Sequence, residues 1–334
     1  MKRNVFFLLF FFVFLISCTQ SNKDKTSSKN QNQKEIEEAQ KKGIQGKIYL
    51  VSDPILLKLA KVNIENFSAL YPTVIYELTE ESSDKKSKEL LLKEKPFDLF
   101  FSTQELSSED RENGLTSYLI AKDAILPVFN TSNPCIQHLV RWGISKEKLK
   151  ELLGGNTVFF WNDIHSKCKK DPIALFLSEK EASVSTKIAD LYQVKASDLN
   201  GKRLRNEKEI YDVVFSNPLA LGFFSSSLVF NSSTGFKNTN MYVLPIDFNE
   251  DGLINDDEHL YDNLEGFNKA VRENKYFPEL ERNIYIVVHK DNESPIITNF
   301  LQWIYGKGQN FIHESSFIPL TKEEIAQELK KLNK

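Results

Sequence analysis

The sharpest chemical signal in the sequence is a run of oxygen donors from Asp247 to Glu258. It reads Asp247-Phe248-Asn249-Glu250-Asp251-Gly252-Leu253-Ile254-Asn255-Asp256-Asp257-Glu258. Every specified position matches the calcium-loop pattern D-x-[DN]-x-[DN]-G-x5-E. In that pattern hard oxygen ligands wrap around one turn. Asp247, Asn249 and Asp251 would supply side-chain oxygens and Leu253 a backbone carbonyl. Gly252 permits the sharp bend, Asn255 contributes directly or through water, and Glu258 closes the loop with both carboxylate oxygens. The bland alternative is an acidic surface loop. No second loop of this kind occurs in the sequence. The expectation is therefore one structural Ca2+ that pins a surface loop, not a paired sensor.

The three cysteines have no metal-site spacing. Cys18 ends an N-terminal segment in which Lys2 and Arg3 precede an apolar run, Val5 to Ile16, and then Ser17. The run is shorter than the ~20 residues a membrane-spanning helix needs, so residues 1–18 read as a signal peptide. The order Leu15-Ile16-Ser17-Cys18 resembles a bacterial lipobox, with Cys18 as the lipidated residue and new N-terminus. The alternative is an ordinary secretory signal with a chance cysteine. The lipobox reading places the protein in the cell envelope, anchored by lipid to a bacterial membrane and facing the periplasm or the cell surface. In that oxidising compartment Cys135 and Cys168 are candidates for a disulfide, or else two buried thiols.

Other chemistries find no support. The five histidines are scattered without ligand spacing. The sequence has no Gly-x-Ser-x-Gly, His-Glu-x-x-His or P-loop, so nothing in it argues for an enzyme. A formal net charge of −3 offers no basic excess for nucleic-acid phosphates.

The elements that must position these residues follow in chain order. The 334 residues, 41% hydrophobic and 27% charged, suit a globular protein of two domains. Residues 19–45 are rich in Ser, Asn, Gln and Lys, a composition that cannot bury a core, and read as a flexible tether. Lys47–Val51 reads as a strand, Asp53-Pro54 as an N-cap and first helical residue, Thr73–Tyr76 as a second strand and Phe97–Phe101 as a third. Strand, helix, strand, helix, strand implies an α/β lobe with parallel strands, whose ligands sit at the strands' carboxyl ends. Those ends carry Ser52 and Asp53, the turn with Ser82 and Ser83, and Ser102 and Thr103. Each could be plain capping or turn chemistry; three polar ends in succession favour a shared site. From Leu126 to Ile164 the pattern is a short apolar strand, a turn at Asn133-Pro134-Cys135, a helix capped by Ser145, and a stop at Gly154-Gly155. That stretch reads as the crossing into a second lobe. Ile173–Leu177 and Met241–Ile246 are further strands, and Ser178–Ser185 turns into a helix. Asn283–His289 returns to the first lobe. Thr321-Lys322-Glu323-Glu324 is a capping box. The lobes are expected at 46–126 plus 283–334 and at 127–282, the second holding the loop 247–258.

Taken in order, these motifs resemble the phosphate-binding proteins of bacterial phosphate ABC transporters. Ser52-Asp53 is similar to that family's Gly-Ser-Asp/Thr start, and Phe97-Asp98-Leu99-Phe100-Phe101-Ser102 to its D-I-A-x-x-S strand. Asn130 to Cys135, Ile144-Ser145 with Leu149, and Trp161-Asn162-Asp163-Ile164 resemble its N-x-x-N-P-x, L-x-x-x-x-L and N-W-x-D-[IL] segments. Asn217-Pro218, Leu221-Gly222-Phe223, Gly308-Gln309, Phe311 and Phe317-Ile318-Pro319-Leu320 resemble its later and closing motifs. The resemblance spans about Lys47 to Leu320. It implies the two-lobed type II periplasmic-binding-protein fold, each lobe a mixed sheet flanked by helices. It also implies a monomer that binds a small ligand between the lobes and delivers it to an ABC permease.

The ligand turns depart from the family. Its first glycine-rich turn is Glu80-Glu81-Ser82-Ser83-Asp84-Lys85-Lys86 here, without glycine and with three acids. In its second, the usual Arg is Ser178, the capping Ser is Ala182 and the Gly is Ser183. Glycine lets a backbone approach an anion closely, and carboxylates repel one. Two readings follow: a solute-binding protein for phosphate or a related small polar ligand, or a diverged paralogue without phosphate binding that acts as a sensor or surface interaction protein. Candidate ligand residues are Ser52, Asp53, Ser82, Ser83, Ser102, Thr103, Ser178 and Ser183.

Overall fold

A computed structural model describes residues 43–80, 97–154, 159–179, 183–292 and 294–333. The signal peptide with Cys18, nearly all of the tether, and Ser82 and Ser83 lie outside the described residues. Ser183 enters only as the first residue of the helix Ser183–Tyr192.

Apolar, β-branched and aromatic runs form the strands. They are β1 (Gly46–Ser52), β2 (Val74–Glu80), β3 (Leu99–Ser102), β4 (Leu115–Asn130), β5 (Ile144–Ser145), β6 (Ala174–Ser178), β7 (Lys202–Leu204), β8 (Ala220–Ser225), β9 (Met241–Val243), β10 (Ile246–Asp247) and β11 (Glu281–His289). Nine of them make one sheet, eight in the order β2-β1-β3-β11-β4-β8-β6-β7 and β9 paired to β4 off that path; β10 and β5 pair separately. β1 is parallel to β2 and β3, and β6 is parallel to β7 and β8. β11 and β4 run against their neighbours.

The short strand expected at Leu126–Asn130 is the end of a strand of 16 residues. Residues 115–124 of β4 pair with β11, and residues 125–129 pair with β8. One strand thus serves both halves of the sheet, because its apolar side chains are buried along nearly its whole second half. On one side a core gathers Phe67, Phe101, Phe300 and Trp303; on the other a second core gathers Phe129, Trp161, Phe223, Phe267 and Tyr276. The strand expected over Met241–Ile246 is divided in two. Leu244 and Pro245 break it, and proline cannot donate to a ladder. The helix Pro295–Trp303 runs on past its last residue. It passes through a wide turn, kinked at Gly306, into Gln309–Glu314. The capping box at Thr321 forms as expected, with Glu324 completing it.

Candidate functional site

At the carboxyl ends of β1 and β3, Ser52, Asp53, Ser102 and Thr103 come together. The Asp53 backbone N–H donates to the Phe101 carbonyl at 2.9 Å. Its carboxylate does not cap the helical turn Pro54–Leu56. Instead Oδ2 accepts from the Thr103 N–H at 2.7 Å and the Thr103 hydroxyl at 2.8 Å. The carboxylate is buried, so two donors on one oxygen offset part of its desolvation. The Ser52 hydroxyl donates to the Asp53 carbonyl, and the Ser102 hydroxyl donates to the Gln104 carbonyl.

Across the sheet, Ser178 ends β6 with its side chain buried. Its hydroxyl lies 3.2 Å from that of Ser185, which donates to the Ser178 carbonyl at 2.7 Å. Arg203, on β7, donates to the Ser178 carbonyl at 3.1 Å and the Ser185 hydroxyl at 2.9 Å. Its other terminal nitrogen donates to the carbonyls of Ala196 and Leu199, both at 2.9 Å. Burial holds the Arg203 pKa below its ordinary value. A cation therefore stands beside Ser178, but its terminal nitrogens are committed to backbone carbonyls and the Ser185 hydroxyl.

A buried cluster of charged groups lies where β4 and β11 pair. Arg282, 1% exposed, donates from Nε to Asp123 at 2.8 Å and from both terminal nitrogens to Glu207 at 2.8 and 3.1 Å. Asp123 Oδ1 also accepts the hydroxyls of Ser225 and Ser226 at 2.9 and 2.8 Å, and Glu207 accepts the Ser225 N–H at 2.6 Å. Burial alone would depress the Arg282 pKa; the charges of Glu207 and Asp123 outweigh it and raise the pKa. Strand register places this triad near the first group. Ser102 faces Tyr285 on β11, and β3 runs antiparallel toward residue 282. Arg282 is thus three residues along, on the order of 10 Å.

Asp123, Glu207, Arg282, Ser185 and Arg203 escaped the sequence reading. A signal existed for two of them: Asp123 interrupts an apolar run, and Arg282 heads another. An ionisable residue in such a run is buried only if paired.

In the calcium-type loop, Asp247 is buried at the end of β10 and accepts the Gly252 N–H at 2.9 Å. Asn249 and Asp251 accept the N–H groups of Asp251 and Leu253, each at 2.9 Å. Gly252 has φ +84°, the left-handed bend for which glycine is suited. Glu258 accepts from the backbone of Phe248, Asn249 and Asn255. Among the described residues, no three His, Cys, Asp or Glu side chains converge as a preformed metal cage. Cys135 and Cys168 form a disulfide with Cα atoms 5.3 Å apart. No helix among the described residues is long and apolar enough to cross a membrane.

No protein-family model and no curated sequence matches the chain. Solved structures do. A putative phosphate ABC transporter substrate-binding protein from Clostridium perfringens, with bound phosphate, superposes with TM-score 0.65 at 16% identity, over 83% of this chain and 100% of that one. An ABC-type phosphate transport receptor from Vibrio cholerae gives 0.57 at 16%, over 82% and 100%. The regulatory domain of CcmR from Synechocystis, in complex with 2-PG, gives 0.52 at 12%, over 80% and 99%. Proteins of different function share this architecture. The chain has the α/β fold of the type II periplasmic binding proteins.

Proposed function

We propose that the chain is an extracytoplasmic, lipid-anchored solute-binding protein of an ABC importer. Its ligand is phosphate or a related small polar solute, held between lobes 46–126 plus 283–334 and 127–282. Closure of the lobes around the solute and delivery to a permease would be its mechanism, without bond chemistry. One observation carries the reading. In a fold shared with solved phosphate-binding proteins, strand register turns the carboxyl ends of β1 and β3, with Ser52, Asp53, Ser102 and Thr103, and those of β6 and β8, with Ser178 and Ser225, toward the same stretch of β4 and β11, which supports a shared site. The N-terminal signal pattern ending at Cys18 supports the envelope location and the anchor.

A second reading has an observation in its favour. Arg282 is balanced by two carboxylates, and Arg203 is spent on carbonyls. That favours a diverged paralogue that does not take phosphate and serves as a sensor or interaction lipoprotein. Calorimetric titration of the purified full chain with phosphate separates the two. Saturable one-site binding that weakens at least tenfold in Thr103→Val supports the transporter reading with phosphate as ligand. Absence of heat or fluorescence change with phosphate removes phosphate as the ligand. No compaction by X-ray scattering with any of a panel of small solutes would leave the second reading standing.

A further inference from the structure

We propose that the Asp247–Glu258 loop is a Ca2+ site that clamps the disulfide-bonded corner of the second lobe. The pattern of residues is only the start. Asp247 is 3% exposed, and its Oδ1 is buried with no hydrogen-bond partner, while Oδ2 is held toward the loop by the Gly252 N–H. A buried carboxylate oxygen without a donor is costly. A cation inside the loop supplies what that oxygen lacks. The loop's other oxygen donors, Asn249, Asp251, Asn255 and the Leu253 carbonyl, follow within eight residues; the Asn249 and Asn255 amides now donate to Asp251 Oδ2 at 3.1 and 3.5 Å, bonds that an ion would replace.

The donor set selects the ion. All donors are oxygen, with no imidazole or thiolate in the ligand positions, which disfavours zinc and copper. A carboxylate giving both oxygens at the twelfth position suits the wide, irregular shell of Ca2+ better than the strict octahedron of Mg2+. Six carboxylates fall within the twelve residues, so the loop repels itself until a divalent charge is present. Glu258 now spends its carboxylate on the backbone N–H groups of Phe248, Asn249 and Asn255. Binding exchanges those bonds for the ion and draws the loop's end inward.

What the ion steadies can be read from the loop's contacts. Ile246 and Asp247 pair with Ile144 and Ser145, and the Ile254 N–H donates to the Arg141 carbonyl at 3.0 Å. Arg141 and Trp142 end the helix Ile136–Trp142, whose start is bonded through Cys135 to Cys168. Trp142 stacks on His165 with centroids 4.4 Å apart. The clamp therefore reaches a tryptophan whose fluorescence can report it. The site stands apart from the solute question.

The test uses the purified full chain, stripped with chelator and titrated with CaCl2 by calorimetry. One Ca2+ per chain is expected, with a dissociation constant of roughly 10⁻⁴ M as in extracellular modules. A rise in melting temperature and a change in fluorescence that Trp142→Phe abolishes should accompany it, and Mg2+ should bind at least tenfold more weakly. The exposed Asp251→Ala leaves the fold in place and should weaken Ca2+ at least tenfold, as should Glu258→Gln. No binding to the parent chain at about 5 mM Ca2+, well above that range, overturns the proposal. So does undiminished binding in both variants, or equal affinity for Mg2+.

Discussion

Arg282→Met is the perturbation that tests the buried triad most directly. Methionine fills a similar volume, so packing is largely kept, but Asp123 and Glu207 lose their shared counter-charge. Asp123 is fully buried and Glu207 is 8% exposed. Three charge-assisted hydrogen bonds of 2.8 to 3.1 Å disappear with the guanidinium. Removing one member of a buried ion pair typically costs about 3–5 kcal/mol, mostly because the remaining charge is stranded. The hydroxyls of Ser225 and Ser226 and the Ser225 N–H still satisfy part of the carboxylates, so about 3–4 kcal/mol is expected. Urea denaturation followed by tryptophan fluorescence measures it, with buried Trp161 reporting the second core. The triad joins the paired strands β4 and β11 to the helix Glu207–Ser216. Its loss should also lower the denaturant slope, if the halves then unfold separately. The triple variant Asp123→Asn, Glu207→Gln, Arg282→Met should recover much of the deficit, because no charge is left unpaired. A cost below about 1 kcal/mol for Arg282→Met, in the range of a surface pair, would refute the account of the triad as the joint between halves.

Three further outcomes follow from the same structure. Reducing Cys135–Cys168, which closes a separation of 33 residues, should lower stability by up to about 4 kcal/mol in the chain-entropy model; melts with and without reductant, against Cys135→Ser/Cys168→Ser, measure it. Gly143→Ala should destabilise the fold by about 1–3 kcal/mol. Gly143 has φ +58°, and an added Cβ would meet the Pro245 carbonyl and Ile254 at 2.5 Å, so chemical denaturation of the variant is the check. Glu324 is half-buried; burial raises its pKa, but hydrogen bonds to Lys122 and Thr321 outweigh this and hold it below the ordinary carboxylate value. With the folded pKa depressed, its contribution is present above the unfolded value near 4.5 and lost as pH falls through the folded one. Glu324→Gln should therefore flatten stability against pH below about 4.5 in denaturant melts.

Local chemistry was legible where one residue type decides one conformation. Thr321 and Glu324 form their capping box because both partners lie within one turn. Gly252 takes its left-handed bend for want of a Cβ. The order of strands and helices implied an α/β fold, and the solved structures share that architecture. Asp53 shows the limit. Its position before Pro54 reads as an N-cap, yet a donor 50 residues away takes its carboxylate. The 16-residue span of β4 was also hidden, since its first part alternates between buried and half-exposed residues.

By itself, then, the sequence determined the order of most strands and helices, the capping box at Thr321 and the bend at Gly252, because propensity and turn geometry act within a dozen residues. Only tertiary structure decided which distant groups meet. Arg282 finds Asp123 at a separation of 159 residues and Glu207 at 75, and Arg203 reaches Ser178 across neighbouring strands. Such pairings depend on strand order and register, which bring together residues that no local pattern relates. The need to neutralise a buried charge then makes each meeting specific.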